Sequence, residues 1–315
     1  MDIPSRDDVL RARETTAGRL HRTPVFSSAT LSERTGARVF LKAELFQRTG
    51  SFKPRGILNK IESLSEEERR RGVVSISAGN AAQAVAWAAA EAGIDALVVM
   101  WQGASAQKIE ATRGYGAAVD MESEGPTEAF ARLEQVVAET GRSFIHPYDD
   151  PVVIAGHGTL GLEIAEDVPD VDVVAVPVGG GGVVSGIATA VDARIVAVEP
   201  ERSAALHEAL KAGRPVPVTP DSIADGLSGP IAGEHCLAVC QERRVESVLV
   251  TDEEIAAGMR FLYQRVKLAC EPAGAASSGA LLAGRIELDP GTTVVSVVSG
   301  GNVAAETAVA ILAGE

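Results

Sequence analysis

Val173-Val174-Ala175-Val176-Pro177-Val178 runs directly into Gly179-Gly180-Gly181-Gly182 and then into Val183-Val184-Ser185-Gly186-Ile187-Ala188. An apolar run without alternation predicts a strand buried on both faces, and the glycines mark the turn from that strand into a helix. Such a turn offers bare backbone N–H groups and the positive end of a helix to an anion, and a phosphate suits it best. Four successive glycines cost backbone entropy, which makes a turn without a ligand the poorer explanation. No Lys-Ser or Lys-Thr follows, so this is not the Walker nucleotide loop. The dinucleotide fingerprint is also incomplete, because Val184 or Ser185 falls at its third small position.

The same alternation extends along the chain. Short β-rich runs at Val39–Leu41, Val73–Ile76, Leu97–Met100, Val173–Val178, Ile195–Val198, Ser247–Val250 and Thr293–Val298 are separated by helical stretches such as Ala82–Ala92. This predicts an α/β protein with parallel sheets flanked by helices. A length of 315 residues with 46% hydrophobic and 23% charged content suits two lobes around a sizeable core. The net charge of -14 argues against nucleic-acid binding, which needs a basic face. With no long apolar span and no leader-like N-terminus, a cytoplasmic protein without a membrane partner is expected. Cys236, Cys240 and Cys270 are too few for a disulfide framework. His235 beside Cys236 and Cys240 lacks the ligand count of a zinc site, so no metal is assigned there.

Ser51-Phe52-Lys53-Pro54-Arg55-Gly56 opens a helix whose apolar residues are Ile57, Leu58, Ile61 and Leu64. Pro54 suits the first turn. Lys53 then stands at the positive end of the helix, which disfavours an ammonium and favours the neutral amine that Schiff-base chemistry needs. From this segment alone a snorkelling surface lysine is the alternative. Ser75-Ile76-Ser77-Ala78-Gly79-Asn80-Ala81-Ala82-Gln83 is another strand that leads through small residues into a helix. Its amides can hold a carboxylate and Asn80 can bond an oxygen, although a plain helix cap would look the same. Val297-Val298-Ser299-Gly300-Gly301-Asn302 is a third such turn. In open α/β sheets these turns converge at the carboxyl ends of the strands. A reactive lysine, a phosphate cup, an anion loop and a neutral hydroxyl together describe a pyridoxal 5'-phosphate site.

On these residues the chain resembles the fold type II pyridoxal-phosphate enzymes of the threonine/serine dehydratase and serine racemase group, over nearly its whole length. Further matching stretches are Arg22–Pro24, Leu41–Glu44, Ala155–Thr159, Ala224–Gly226 and Glu271–Ala275. The resemblance implies a two-lobed, tryptophan synthase β-like fold, with residues 1–46 and 144–315 in a large cofactor domain and 47–143 in a small substrate-side domain. It implies Lys53 as the Schiff-base lysine, with Phe52 and Asn80 against the cofactor ring. Gly179, Gly180, Gly181 and Gly182 would hold its phosphate, Ser299 its pyridine nitrogen, and Ser77, Ala78, Gly79, Asn80 and Ala81 the substrate carboxylate. A homodimer is implied too.

Departures from the family pattern sharpen the reading. Ala78 stands where the racemases commonly have a serine that serves as acid/base opposite the lysine, so dehydration is expected over racemisation. Ala205 stands where an acidic residue often completes a cation site with a Glu like Glu199. Ala81 replaces a histidine, which with Ala82 leaves room for a 3-hydroxy amino acid larger than threonine. Only one helix, Ala304–Leu312, follows Asn302, so no effector domain of the biosynthetic dehydratases is expected. The expected activity is elimination from threonine, serine or a bulkier analogue, with Lys53 taking the α-proton and a 2-oxo acid and ammonia as products. A racemase, a β-replacement enzyme or a silent ligand-binding relative are the rival readings. Glu271 either orients groups around the site or serves its Glu-Pro turn.

Overall fold

The computed structural model describes residues 3–314. Its strands are β1 (Val25–Ser27), β2 (Arg38–Ala43), β3 (Val73–Ile76), β4 (Ala96–Trp101), β5 (Ala118–Ser123), β6 (Ser143–Phe144), β7 (Val173–Pro177), β8 (Arg194–Pro200), β9 (Glu246–Val250) and β10 (Thr293–Val298). They form two sheets, one in the order β1-β2-β10-β7-β8-β9 and one in the order β5-β4-β3-β6. Every pairing is parallel except that of β1 with β2. The chain is therefore an α/β protein with parallel sheets flanked by helices. Every residue of β3, β7 and β10 is buried, which is why these strands read as uninterrupted apolar runs.

All seven strands read from the sequence are present, with ends shifted by at most two residues. Three more are added. β1 and β6 are too short to carry a pattern, and β5 is an edge strand whose Asp120 and Glu122 break the apolar run. The helix read at Ala82–Ala92 spans Asn80–Glu91, and that read at Ala304–Leu312 spans Ala305–Ala313. Among the described residues no helix is long and apolar enough to cross a membrane.

The helix Pro151–Asp167 joins the parts that matter for the site. On one side it meets the helix Pro54–Glu62 backbone to backbone: a Cβ on Gly156 would lie 2.5 Å from the Arg55 carbonyl oxygen. On the other side it meets the helix Gly182–Ala190, where a Cβ on Gly186 would lie 2.5 Å from the Gly158 nitrogen. The lysine segment and the tetraglycine are thereby set by one shared rod.

A buried ionic cluster ties the same helix down. Arg55, 1% exposed, donates from Nε and Nη2 to Glu44 at 2.7 and 2.8 Å. It also donates from Nη1 and Nη2 to Glu163 at 2.7 and 2.9 Å. Lys42, fully buried, reaches Glu163 at 2.7 Å and Asp167 at 3.0 Å. Glu163 is held below its ordinary range: burial opposes the charge, but Arg55 and Lys42 overcome it. Removing one partner of such a pair strands a buried charge. Glu44→Ala is expected to cost about 3–5 kcal/mol by chemical denaturation. Asp170→Ala, which breaks the exposed pair with Arg38, should leave the denaturation midpoint almost unchanged, because solvent screens that pair.

Candidate active site

Lys53 is the residue just before the helix Pro54–Glu62, and Pro54 occupies its first turn. The half-buried side chain donates from Nζ to the Pro147 carbonyl at 2.8 Å. Burial pushes the ammonium down to about 8, and the thiol of Cys236 is the group that would pull it back. Burial also holds that thiol well above its ordinary range and so uncharged, which leaves Lys53 without a counter-ion. The amine is therefore depressed by desolvation. Arg55 nearby receives two carboxylates, whereas Lys53 receives a carbonyl.

The lysine segment and the turns after β3 and β10 meet directly, and the tetraglycine turn is reached from Lys53 through Pro147 and Tyr148. Ser51 bridges to Gly300, and the Phe52 N–H donates to the Ser299 carbonyl at 3.1 Å. Ser299 is 4% exposed, at the end of the central strand β10. Asn80 lies at the start of its helix and donates from Nδ2 to Glu271 Oε1 at 2.7 Å. Asn302 donates to Asn80 Oδ1 at 2.9 Å and to the Thr49 carbonyl at 2.7 Å. Phe52 packs edge-on against the buried His157 ring with centroids 4.9 Å apart.

The tetraglycine turn ends β7 and begins the helix Gly182–Ala190, with Gly181 at φ 103°. A Cβ on Gly180 would lie 2.5 Å from the Tyr148 ring, and one on Gly181 would lie 2.8 Å from Cys236 Cβ. The first N–H groups of a helix have no acceptor within it. A closely walled, side-chain-free turn with such donors fits a phosphate. Together with a desolvated amine and a buried serine, it fits pyridoxal phosphate. In the loop after β3, the Gly79 N–H is already bonded to the Ser77 hydroxyl at 3.1 Å. The donors left in this loop are the N–H groups of Ala78, Asn80 and Ala81 and the Ser77 hydroxyl, since the Ser77 N–H is taken by the Val99 carbonyl. Ala82 is fully buried in the core around β3 and β4, so any extra room in the site comes from Ala81 alone.

Several neighbours escaped the sequence reading. Tyr148 walls the glycine turn and donates its hydroxyl to the Ile231 carbonyl at 3.0 Å. His146 accepts the Tyr148 and Asp149 N–H groups at 3.2 and 2.7 Å, and burial pushes it down to about 4, so it is neutral. Asp149 accepts the Glu234 and His235 N–H groups at the start of the helix that carries Cys236. The usable signal was His146-Pro147-Tyr148-Asp149, but it follows a two-residue strand too short to be seen. Glu199, considered for a cation site, instead accepts the Leu206 and His207 N–H groups, both at 2.8 Å. Burial raises it to about 8. Among the described residues no three His, Cys, Asp or Glu side chains are grouped to hold a metal ion.

Comparison with known proteins agrees with this geometry. Residues 17–300 match the family described as "Pyridoxal-phosphate dependent enzyme". The chain is 43% identical to the L-threonine ammonia-lyase of Thermotoga maritima, over 94% of this chain and 75% of that protein. It is 41% identical to the L-threonine dehydratase catabolic TdcB of Escherichia coli, over 96% of this chain and 94% of that protein. The structure of maize serine racemase superimposes with a TM-score of 0.93 at 34% identity, covering 97% of this chain and 96% of the other. With a matched region that spans most of its length and a lysine, a glycine cup and a buried serine gathered at the strand ends, the chain belongs to the pyridoxal-phosphate dependent enzymes.

Proposed function

We propose that the protein is a threonine/serine ammonia-lyase, which eliminates water from a 3-hydroxy amino acid and releases a 2-oxo acid and ammonia. The observation that carries this reading is Lys53, a desolvated amine without a counter-ion in the segment that meets the turns after β3 and β10. In it, Phe52 and Asn80 flank the cofactor ring, Gly179 to Gly182 hold its phosphate, and Ser299 meets its ring nitrogen. The first N–H groups of the helix Asn80–Glu91 take the substrate carboxylate. Bound pyridoxal phosphate supplies the electron sink that makes the α-proton of the substrate acidic. The Pro147 carbonyl accepts an N–H of Lys53 and cannot give a proton back, so the lone pair of the neutral amine stays free for the α-proton. Ser299, a neutral hydroxyl, does not enforce a protonated ring nitrogen as a carboxylate would, which favours prompt loss of the 3-hydroxyl.

The racemase reading is weaker for a chemical reason. Ala78 has no group to return a proton from the face opposite Lys53. The identities of 41–43% to the threonine lyases, against 34% to maize serine racemase, point the same way. The lobes assigned to 1–46 with 144–315 and to 47–143 belong to the same proposal, as does a cytoplasmic homodimer. Its three cysteines are free and buried, as suits a reducing compartment. Phe26 and Phe46 lie exposed beside the edge strand β1, where a second copy would cover them.

Three outcomes are expected. First, Lys53→Ala should lose keto-acid release from threonine and serine and lose borohydride-fixed cofactor by mass spectrometry; turnover above one thousandth of the parent would contradict the assignment. Second, pH-dependent amine labelling of the apo-protein should report Lys53 at about 8, well below the ordinary 10.5. A value near 10.5 would mean that the amine is not desolvated. Third, Ala78→Ser should raise the ratio of racemised serine to pyruvate at least about a hundredfold, the lower end of the effect of a placed general acid. An unchanged ratio in a folded variant would remove the argument against the racemase reading.

A further inference from the structure

Glu271 is unused in the account above, yet it is the most unusual carboxyl near the site. It is 2% exposed, one oxygen takes the Asn80 N–H, and the other, Oε2, is buried without any partner among the described residues. It lies against bare backbone: a Cβ on Gly300 would come within 2.3 Å of Oε1. Its own N–H donates to the Gly300 carbonyl at 3.1 Å.

We propose that Glu271 is a positioning residue that fixes which side of the Asn80 amide faces the bound cofactor and substrate. The chain of bonds leaves one solution. The Thr49 carbonyl can only accept, so Asn302 must direct its Nδ2 there, and the second N–H of the same nitrogen reaches Asn80 Oδ1. Asn80 must then turn Nδ2 toward Glu271, whose Oε1 accepts. One N–H of Asn80 is left over, and it is the one that a ligand can use. Asn80 follows β3 of the smaller sheet, whereas Asn302 follows β10 and Glu271 precedes the helix Pro272–Leu282, so the chain of bonds also spans the gap between the sheets.

The acid is best suited to this in its neutral form, with the proton on Oε2. Burial first, and then Asp225 of the turn Asp225–Leu227, raise it against the pull of Lys108 of the helix Ala106–Gly114 and of the Asn80 N–H, and the balance stands at about 7. Lys108 is itself paired with Asp225. The adjacent Cys270 thiol is kept protonated by burial and adds no charge.

This rests on Asn80 facing the cofactor, as proposed above, so the test has an arm that does not. The folded value of about 7 lies above the ordinary 4.5, so between these values a rising pH deprotonates the unfolded chain first and destabilises the fold. The melting temperature of apo Glu271→Gln should therefore gain on that of the parent from pH 4.5 to 7 and hold its lead above. The similar slope from Glu199 is common to both proteins and cancels. In the loaded enzyme, Glu271→Ala should weaken cofactor binding and kcat/KM about tenfold or more, the effect of a stranded buried N–H. In an Asn80→Ala background the same change should add less than about threefold, because the two residues act as one unit. Glu271→Gln, whose carbonyl still accepts from Asn80, should restore most of the loss. Independent, multiplying losses, a glutamine variant as impaired as the alanine one, or a melting difference flat with pH would each overturn the proposal. A pH-dependent melting difference in a protein that releases no keto acid would overturn the function and leave the Asn80–Glu271 contact standing.

Discussion

A buried guanidinium must be paired, and the rest of the structure is organised around the way Arg55 is. Its carboxylates come from Glu44, at the end of β2, and from Glu163, two-thirds of the way along the helix Pro151–Asp167. Neither is near it in sequence, so the fold must close around the helix Pro54–Glu62 before the charge can be accommodated. The absence of a Cβ at Gly56 and Gly156 allows the two helices to close to backbone contact. Two residues before Arg55 stands Lys53, with a carbonyl in place of a carboxylate. Burial is neutralised at Arg55 and left uncompensated at Lys53, and that difference separates a permanently charged cation from an amine whose proton is loosened.

The helix Pro151–Asp167 transmits this arrangement. One face sets the lysine segment and the other the helix that follows the tetraglycine, so the distance between the amine and the tetraglycine turn is governed by close-packed backbone and not by flexible side chains. The turn His146–Asp149 closes the remaining side, because Pro147 orients the amine, Tyr148 walls the glycines and Asp149 caps the helix of Cys236. The smaller sheet joins through Asn80, which is bonded on one side to Glu271 and on the other to Asn302.

Much of this was legible from residue order. Strands buried on both faces announce themselves as apolar runs, and turns with glycine or a small polar residue follow such runs at the carboxyl edge of the sheets, as at Ser77–Asn80, Gly179–Gly182 and Ser299–Asn302. What could not be read follows from the same rule. Tyr148 stands after β6, which has two residues and no pattern, and β5 carries carboxylates because it is an edge strand. The room attributed to Ala82 was misplaced, since its side chain packs into the core around β3 and β4.

By itself the sequence determined the fold class, the positions of the small-residue turns and that of the lysine that precedes the helix Pro54–Glu62, because these depend on local pattern and on residue type. Only the tertiary structure decided what surrounds each of them. Desolvation of Lys53, the neutral Cys236 beside it, the orientation of the Asn80 amide and the unpartnered oxygen of Glu271 are set by groups up to about two hundred residues apart in the chain. Burial and the direction of a hydrogen bond are properties of the packed interior, and no local pattern encodes them.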